Sequence, residues 1–124
     1  MENLKQRSSI ILVGEAHEVI EELNRKLKHE VPFYSASENA EVNQLSDKFQ
    51  KTSLLFSNPQ SCVHFLKNAE NNPLLSEVRM YLVMDRNGKF KTETEEVLKE
   101  AGVQIFIPRL FDEFMEDLKA YLLT

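Results

Sequence analysis

Short apolar runs alternate along this chain with longer stretches in which apolar positions recur every three or four residues. The run IILV at residues 10–13 is continuously apolar, as a strand buried on both faces requires. The next segment carries Val19, Ile20, Leu23 and Leu27 on one helical stripe, with Glu21, Glu22, Arg25 and Lys26 opposite. Pro32 is expected to end that helix. PFYSA at residues 32–36 reads as a second strand. Ser37 is placed to cap a helix whose apolar face is Val42, Leu45 and Phe49. SLLF at 53–56 is a third strand. The helix after it, over 60–70, turns Cys62, Phe65, Leu66 and Ala69 inward, and the NNP triplet at 71–73 breaks it.

The same rhythm continues to the end. VRMYLVM at 78–84 predicts a fourth strand, followed by the turn residues DRNG at 85–88. Thr92 with Glu95 forms a capping box for a helix through Val97, Leu98 and Ala101, and Gly102 suits its C′ position. QIFI at 104–107 is a fifth strand. Phe111, Phe114, Met115, Leu118, Tyr121 and Leu122 then make an amphipathic stripe. Strict alternation of strand and helix predicts an α/β protein with a five-stranded parallel sheet between helical layers, a flavodoxin-like (βα)5 three-layer sandwich. In such a sheet, ligands and reaction centres lie beyond the C-terminal strand ends, where the strand order reverses. The residues to examine are therefore Gly14, Glu15, Ser57, Asn58, Met84, Asp85 and Arg109.

Composition narrows the function. The 124 residues suit a single domain spanning 1–124, with 42% hydrophobic and 28% charged residues. A formal net charge of −5 and the absence of a Lys/Arg block argue against nucleic acid as a partner. Cys62 is the single cysteine, so an internal disulfide is impossible, and its simplest role is as a small core hydrophobe. The N-terminus has no apolar signal core, and no apolar run approaches the roughly 18–20 residues of a membrane span. The expectation is a cytoplasmic protein without a membrane partner. Internal repeats and low-complexity segments are absent.

Two stretches point to a family. In EAGVQIFIPRLF at 100–111, an Ala-Gly turn precedes an apolar strand bearing an aromatic, Phe106, and then Arg109, Leu110 and Phe111. NNPLLSEVRMYLV at 71–83 runs similarly into the fourth strand. Over its whole length and in the same order, the chain resembles the receiver domains of two-component response regulators. The resemblance implies an active centre that this chain departs from throughout. Receivers carry an acidic pair after the first strand to hold Mg²⁺; here the residues are Gly14 and Glu15. The phosphoacceptor aspartate corresponds to Ser57, the hydroxyl residue after the fourth strand to Met84, and the lysine to Arg109. The proline after that lysine, often cis in the family, is Leu110.

A carboxylate nucleophile is ionised at neutral pH, whereas a serine hydroxyl needs a neighbouring base. Mg²⁺ commonly uses one or two carboxylates in near-octahedral geometry, and only Glu15 is certain to be near. Met84 cannot donate a hydrogen bond to a phosphoryl oxygen. The resemblance therefore implies a non-phosphorylatable pseudo-receiver, not an enzyme and without a cofactor or metal. It would act as a protein–protein interaction module in bacterial signalling, with a protein partner or a homodimer. A Glu15–Arg109 ion pair is expected to fill the old pocket. By the same resemblance, the interaction face lies on the fourth helix, fifth strand and fifth helix, with Glu96, Lys99, Phe106 and Phe111.

Two other readings compete. An atypical receiver could bind a small ligand or cation through Glu15, Asn58, Asp85 and Arg109. A flavodoxin-like enzyme could use Ser57 as nucleophile, with His17 or His64 as base. The chain has no Gly-x-Ser-x-Gly elbow and no glycine-rich phosphate loop, and Ser57 reads more simply as a small polar residue ending a strand.

Overall fold

The computed structural model describes residues 6–27, 29–69, 72–73, 78–85, 92–106 and 111–123. Among them, strands and helices alternate without exception: β1 (Gln6–Val13), α1 (Glu18–Leu27), β2 (Phe33–Ala36), α2 (Asn39–Ser46), β3 (Phe49–Phe56), α3 (Pro59–Asn68), β4 (Arg79–Val83), α4 (Thr92–Glu100), β5 (Val103–Phe106) and α5 (Phe111–Leu123). The strands form one sheet in the order β2-β1-β3-β4-β5, with every pairing parallel. This is the predicted α/β, flavodoxin-like architecture. The strand order reverses at β1, whose C-terminal end lies beside that of β3 through the Val13–Phe56 pairing.

Two cores lie on the two faces of the sheet, and the side-chain alternation of the strands divides them. Ile10, Leu12, Leu55, Tyr81 and Val83 pack against Val19, Ile20, Leu23 and Leu27 of α1 and Phe114, Leu118 and Leu122 of α5. Ile11, Val13, Leu54, Phe56, Met80 and Leu82 pack against Val42 of α2, Cys62 and Phe65 of α3 and Leu98 of α4. A continuously apolar run such as 10–13 is thus shared between both layers. Removing one such leucine side chain to alanine would cost roughly 2–5 kcal/mol.

Several boundaries differ from the pattern-based expectation, each for a local reason. Phe49 belongs to β3, where it pairs with Gln6, and α2 already ends at Ser46. The β3 segment before residue 53 is polar at Gln50 and Lys51, which hid its strand character from a search for apolar runs. Helix α1 stops at Leu27, well before Pro32, because Glu30 N and Val31 N both turn back to the Leu27 carbonyl, each at 2.9 Å. Ser37 is not the cap of α2. Glu38 occupies the N-cap position without a side-chain bond, and the Glu41 carboxylate reaches back to accept from Ser37 Oγ at 2.8 Å. Those bonds hold the Glu41 carboxyl below its ordinary pKa. Gly102 ends α4 as expected, at φ +87°.

A polar seam crosses the otherwise apolar centre. Ser8 Oγ donates to the Leu122 carbonyl, and Ser9 Oγ lies 3.2 Å from Thr52 Oγ1. Ser53 Oγ, fully buried in β3, has no hydrogen-bond partner among the described residues. At the edge of the seam, Tyr81 donates to Asp117 Oδ2 at 3.1 Å, and Arg79 lies over the Tyr121 ring at 4.5 Å. The contacts of Ser8, Tyr81 and Arg79 clamp α5 to β1 and β4.

Candidate functional site at the strand ends

The C-terminal ends of β1 and β3 form the floor of the candidate site. Gly14, at φ +106°, turns the chain off β1 in a conformation that L side chains rarely adopt. Ser57 follows β3 directly and is 8% exposed. A Cβ placed on Gly14 would lie 3.0 Å from Ser57 Oγ and 3.9 Å from Ser61 Oγ. Glycine is therefore favoured here twice over, by a backbone angle that L side chains rarely adopt and by a tight approach to Ser57.

Asn58 is the N-cap of α3. Its Oδ1 accepts from Ser61 N at 2.7 Å, and Pro59 follows in the first turn, where its missing N–H is harmless. That capping bond uses one of the two lone pairs of the amide oxygen. Met84 is buried, and its N–H donates to the Phe106 carbonyl at 3.0 Å. Glu15 is exposed and Asp85 half-buried. Arg109 lies outside the described residues, as do Leu110 and the Glu15–Arg109 pairing; so do residues 86–91. No group of three or more His, Cys, Asp or Glu side chains able to hold a metal occurs among the described residues.

The hydrogen bonds of His17 and His64 among the described residues go to groups other than Ser57. His17 is the N-cap of α1: its Nδ1 accepts from Val19 N at 3.2 Å and Ile20 N at 3.4 Å. Its Nε2 lies 2.7 Å from the Val83 carbonyl, which can only accept, so Nε2 carries the proton. Both nitrogens of the neutral ring are in use, and the loop after β1 is tied to the end of β4. His64 projects from α3 and accepts from Asn68 Nδ2 at 3.1 Å.

The residues expected on an interaction face separate into two environments. Glu96 and Lys99 lie exposed on α4, with Lys99 Nζ 3.0 Å from Glu95. Phe106 and Phe111 pack inward. The Phe106 ring sits 4.3 Å from that of Phe114 and 5.5 Å from that of Tyr81, and Phe111 lies under Lys26 Nζ at 5.2 Å. Val97 is 51% exposed and borders a shallow apolar groove with Val63, Leu66 and Ala101 between α3 and α4. Cys62 is fully buried, and burial pushes its thiol up to about 12.

One feature escaped the sequence reading. A cleft of about 530 Å³ opens between the N-terminus of α2 and the side of α3, with Val13 and Gly14 at its base. Ser37, Glu38, Ser61, His64, Phe65 and Asn68 complete its walls. The only local signal for it was the Asn58-Pro59 helix start, which fixes where Ser61, His64 and Asn68 fall on α3. The approach of α2 is a tertiary fact. Comparison with known proteins finds no matching family model, no matching curated protein and no matching solved structure.

Proposed function

We propose that this chain is a receiver-like regulatory module that works by contact with a protein partner in bacterial signalling, without accepting a phosphoryl group. The observation that carries this reading is Ser57, which stands where receivers have the acceptor carboxylate and is nine-tenths buried beneath Gly14. A buried hydroxyl is a poor phosphoryl acceptor unless a base removes its proton. His17, which follows β1, has both ring nitrogens engaged with backbone groups. Met84 offers no donor to a phosphoryl oxygen, and its own N–H is bonded across to β5. The exposed side of α4, with Glu96, Lys99 and Val97, is the surface offered to the partner.

An amide NMR titration with Mg²⁺ and then beryllofluoride, a mimic of the acyl phosphate, tests the reading. The expected result is no saturable shift at Gly14, Ser57 or Met84. Saturable shifts there that spread to Phe106 would overturn it.

A further inference from the structure

We propose that the cleft between α2 and α3 is a binding site for a small primary ammonium carrying an apolar body. The site lies at the switch in strand order, where parallel α/β sheets bind ligands, and its volume of about 530 Å³ falls within the range of small-molecule pockets. It shares only Gly14 with the degenerate phosphorylation pocket and does not depend on the reading given above.

The hydrogen-bonding chemistry of the walls selects the ligand. Among the described residues, Glu38 is the only formally charged one that lines the cleft, and its carboxylate forms no ion pair with the others. Ser37 directs its proton to Glu41, so its oxygen faces a ligand as an acceptor. Asn68 uses one Nδ2 hydrogen on His64, which leaves Oδ1 as a further acceptor; the donors left over are the second Nδ2 hydrogen and the Nδ1–H of His64, against the two Glu38 carboxylate oxygens, Ser37 Oγ and Asn68 Oδ1. Ser61 adds a hydroxyl that can turn either way. Acceptors thus outnumber donors around one unpaired carboxylate. An ammonium, with three donors and no acceptor, matches that set, whereas an alcohol or a carboxylate does not. Val13 and Phe65 supply an apolar back wall for the rest of the molecule. Anions are further disfavoured because no Lys or Arg lines the cleft among the described residues, and Glu38 and Glu41 already answer the positive end of α2.

Phenethylammonium chloride is the test molecule, with 2-phenylethanol and phenylacetate as neutral and anionic counterparts of similar shape. Amide NMR titration of the whole chain should give saturable shifts at Gly14, Ser61 and His64 with the ammonium. The alcohol and the acid should bind at least about fivefold more weakly, the scale of one partly exposed charge interaction. E38Q should weaken ammonium binding by about threefold or more; Glu38 is exposed and makes no capping bond, so this variant keeps the fold. N68D, which adds a second carboxylate at the rim, should strengthen it. No saturable shift, equal binding of phenylacetate, or unchanged affinity in both variants would overturn the assignment.

Discussion

Gly14 and Ser57 approach so closely that a methyl group fits between them only if Ser57 gives way by a few tenths of an ångström. A Cβ on Gly14 would meet Ser57 Oγ at 3.0 Å, on a backbone already at φ +106°. Gly14→Ala should therefore lower stability by about 1–3 kcal/mol, through backbone strain together with the contact. Ser57→Ala in the same chain removes the contact but not the strain. It should recover only part of the loss, with a coupling of about 0.5–1 kcal/mol in a double-mutant cycle. Urea denaturation of the four proteins measures both terms. Strict additivity would show that the two residues do not touch.

His17 performs two structural tasks with one neutral ring, capping α1 and bonding to the end of β4. His17→Ala removes both and should destabilise by about 1–3 kcal/mol. His17→Asn can still cap the helix but is too short to reach the Val83 carbonyl, so it should fall between wild type and alanine. Equal stability of the two variants would show that the cap contributes nothing. Hydrogen exchange at Val19 and Ile20 reports the cap directly, and faster exchange is expected only in the alanine variant.

Tyr81 couples stability to alkaline pH. Burial raises its phenol to about 12; Arg79 opposes that rise and the Asp117 carboxylate adds to it. The folded protein thus holds this proton more tightly than the unfolded chain, whose tyrosine titrates near 10. The contribution is fully present below about pH 10 and is lost as pH rises toward 12, at no more than about 1.4 kcal/mol per pH unit. Tyr81→Phe should lose the 3.1 Å bond to Asp117 and be less stable at pH 8. Its stability should then fall less steeply above pH 10 than that of wild type. Parallel slopes in urea midpoints from pH 8 to 11 would contradict the assignment.

Much of the fold was legible because burial on both faces leaves a direct signature. Residues 10–13 and 53–56 could only be central strands, and the stripe Val19, Ile20, Leu23, Leu27 could only face a sheet; all are buried. The errors fell where that signature fades. Phe49 looked like the last apolar position of α2 because polar Gln50 and Lys51 follow it in its strand, and its pairing with Gln6 is a contact across the sheet. Ser37 looked like a cap because local sequence does not reveal that Glu41 would reach back to it.

The candidate site divides in the same way. Gly14, Ser57 and Met84 were identifiable in order along the chain, since they follow strands that the apolar runs define. Their chemistry was only partly so: the Asn58-Pro59 helix start is a local signal and Phe106 packs as its apolar strand suggests, whereas the engagement of His17 with Val83 depends on a partner distant in sequence. Sequence by itself determined the alternation of strands and helices and the faces they bury, because hydrophobic periodicity is a property of neighbouring residues. Tertiary structure alone decided that α2 and α3 stand apart over Gly14, leaving a cleft walled by Glu38, Ser61 and Asn68. A cleft is space between elements, and no local pattern of residues encodes the distance at which two helices pack.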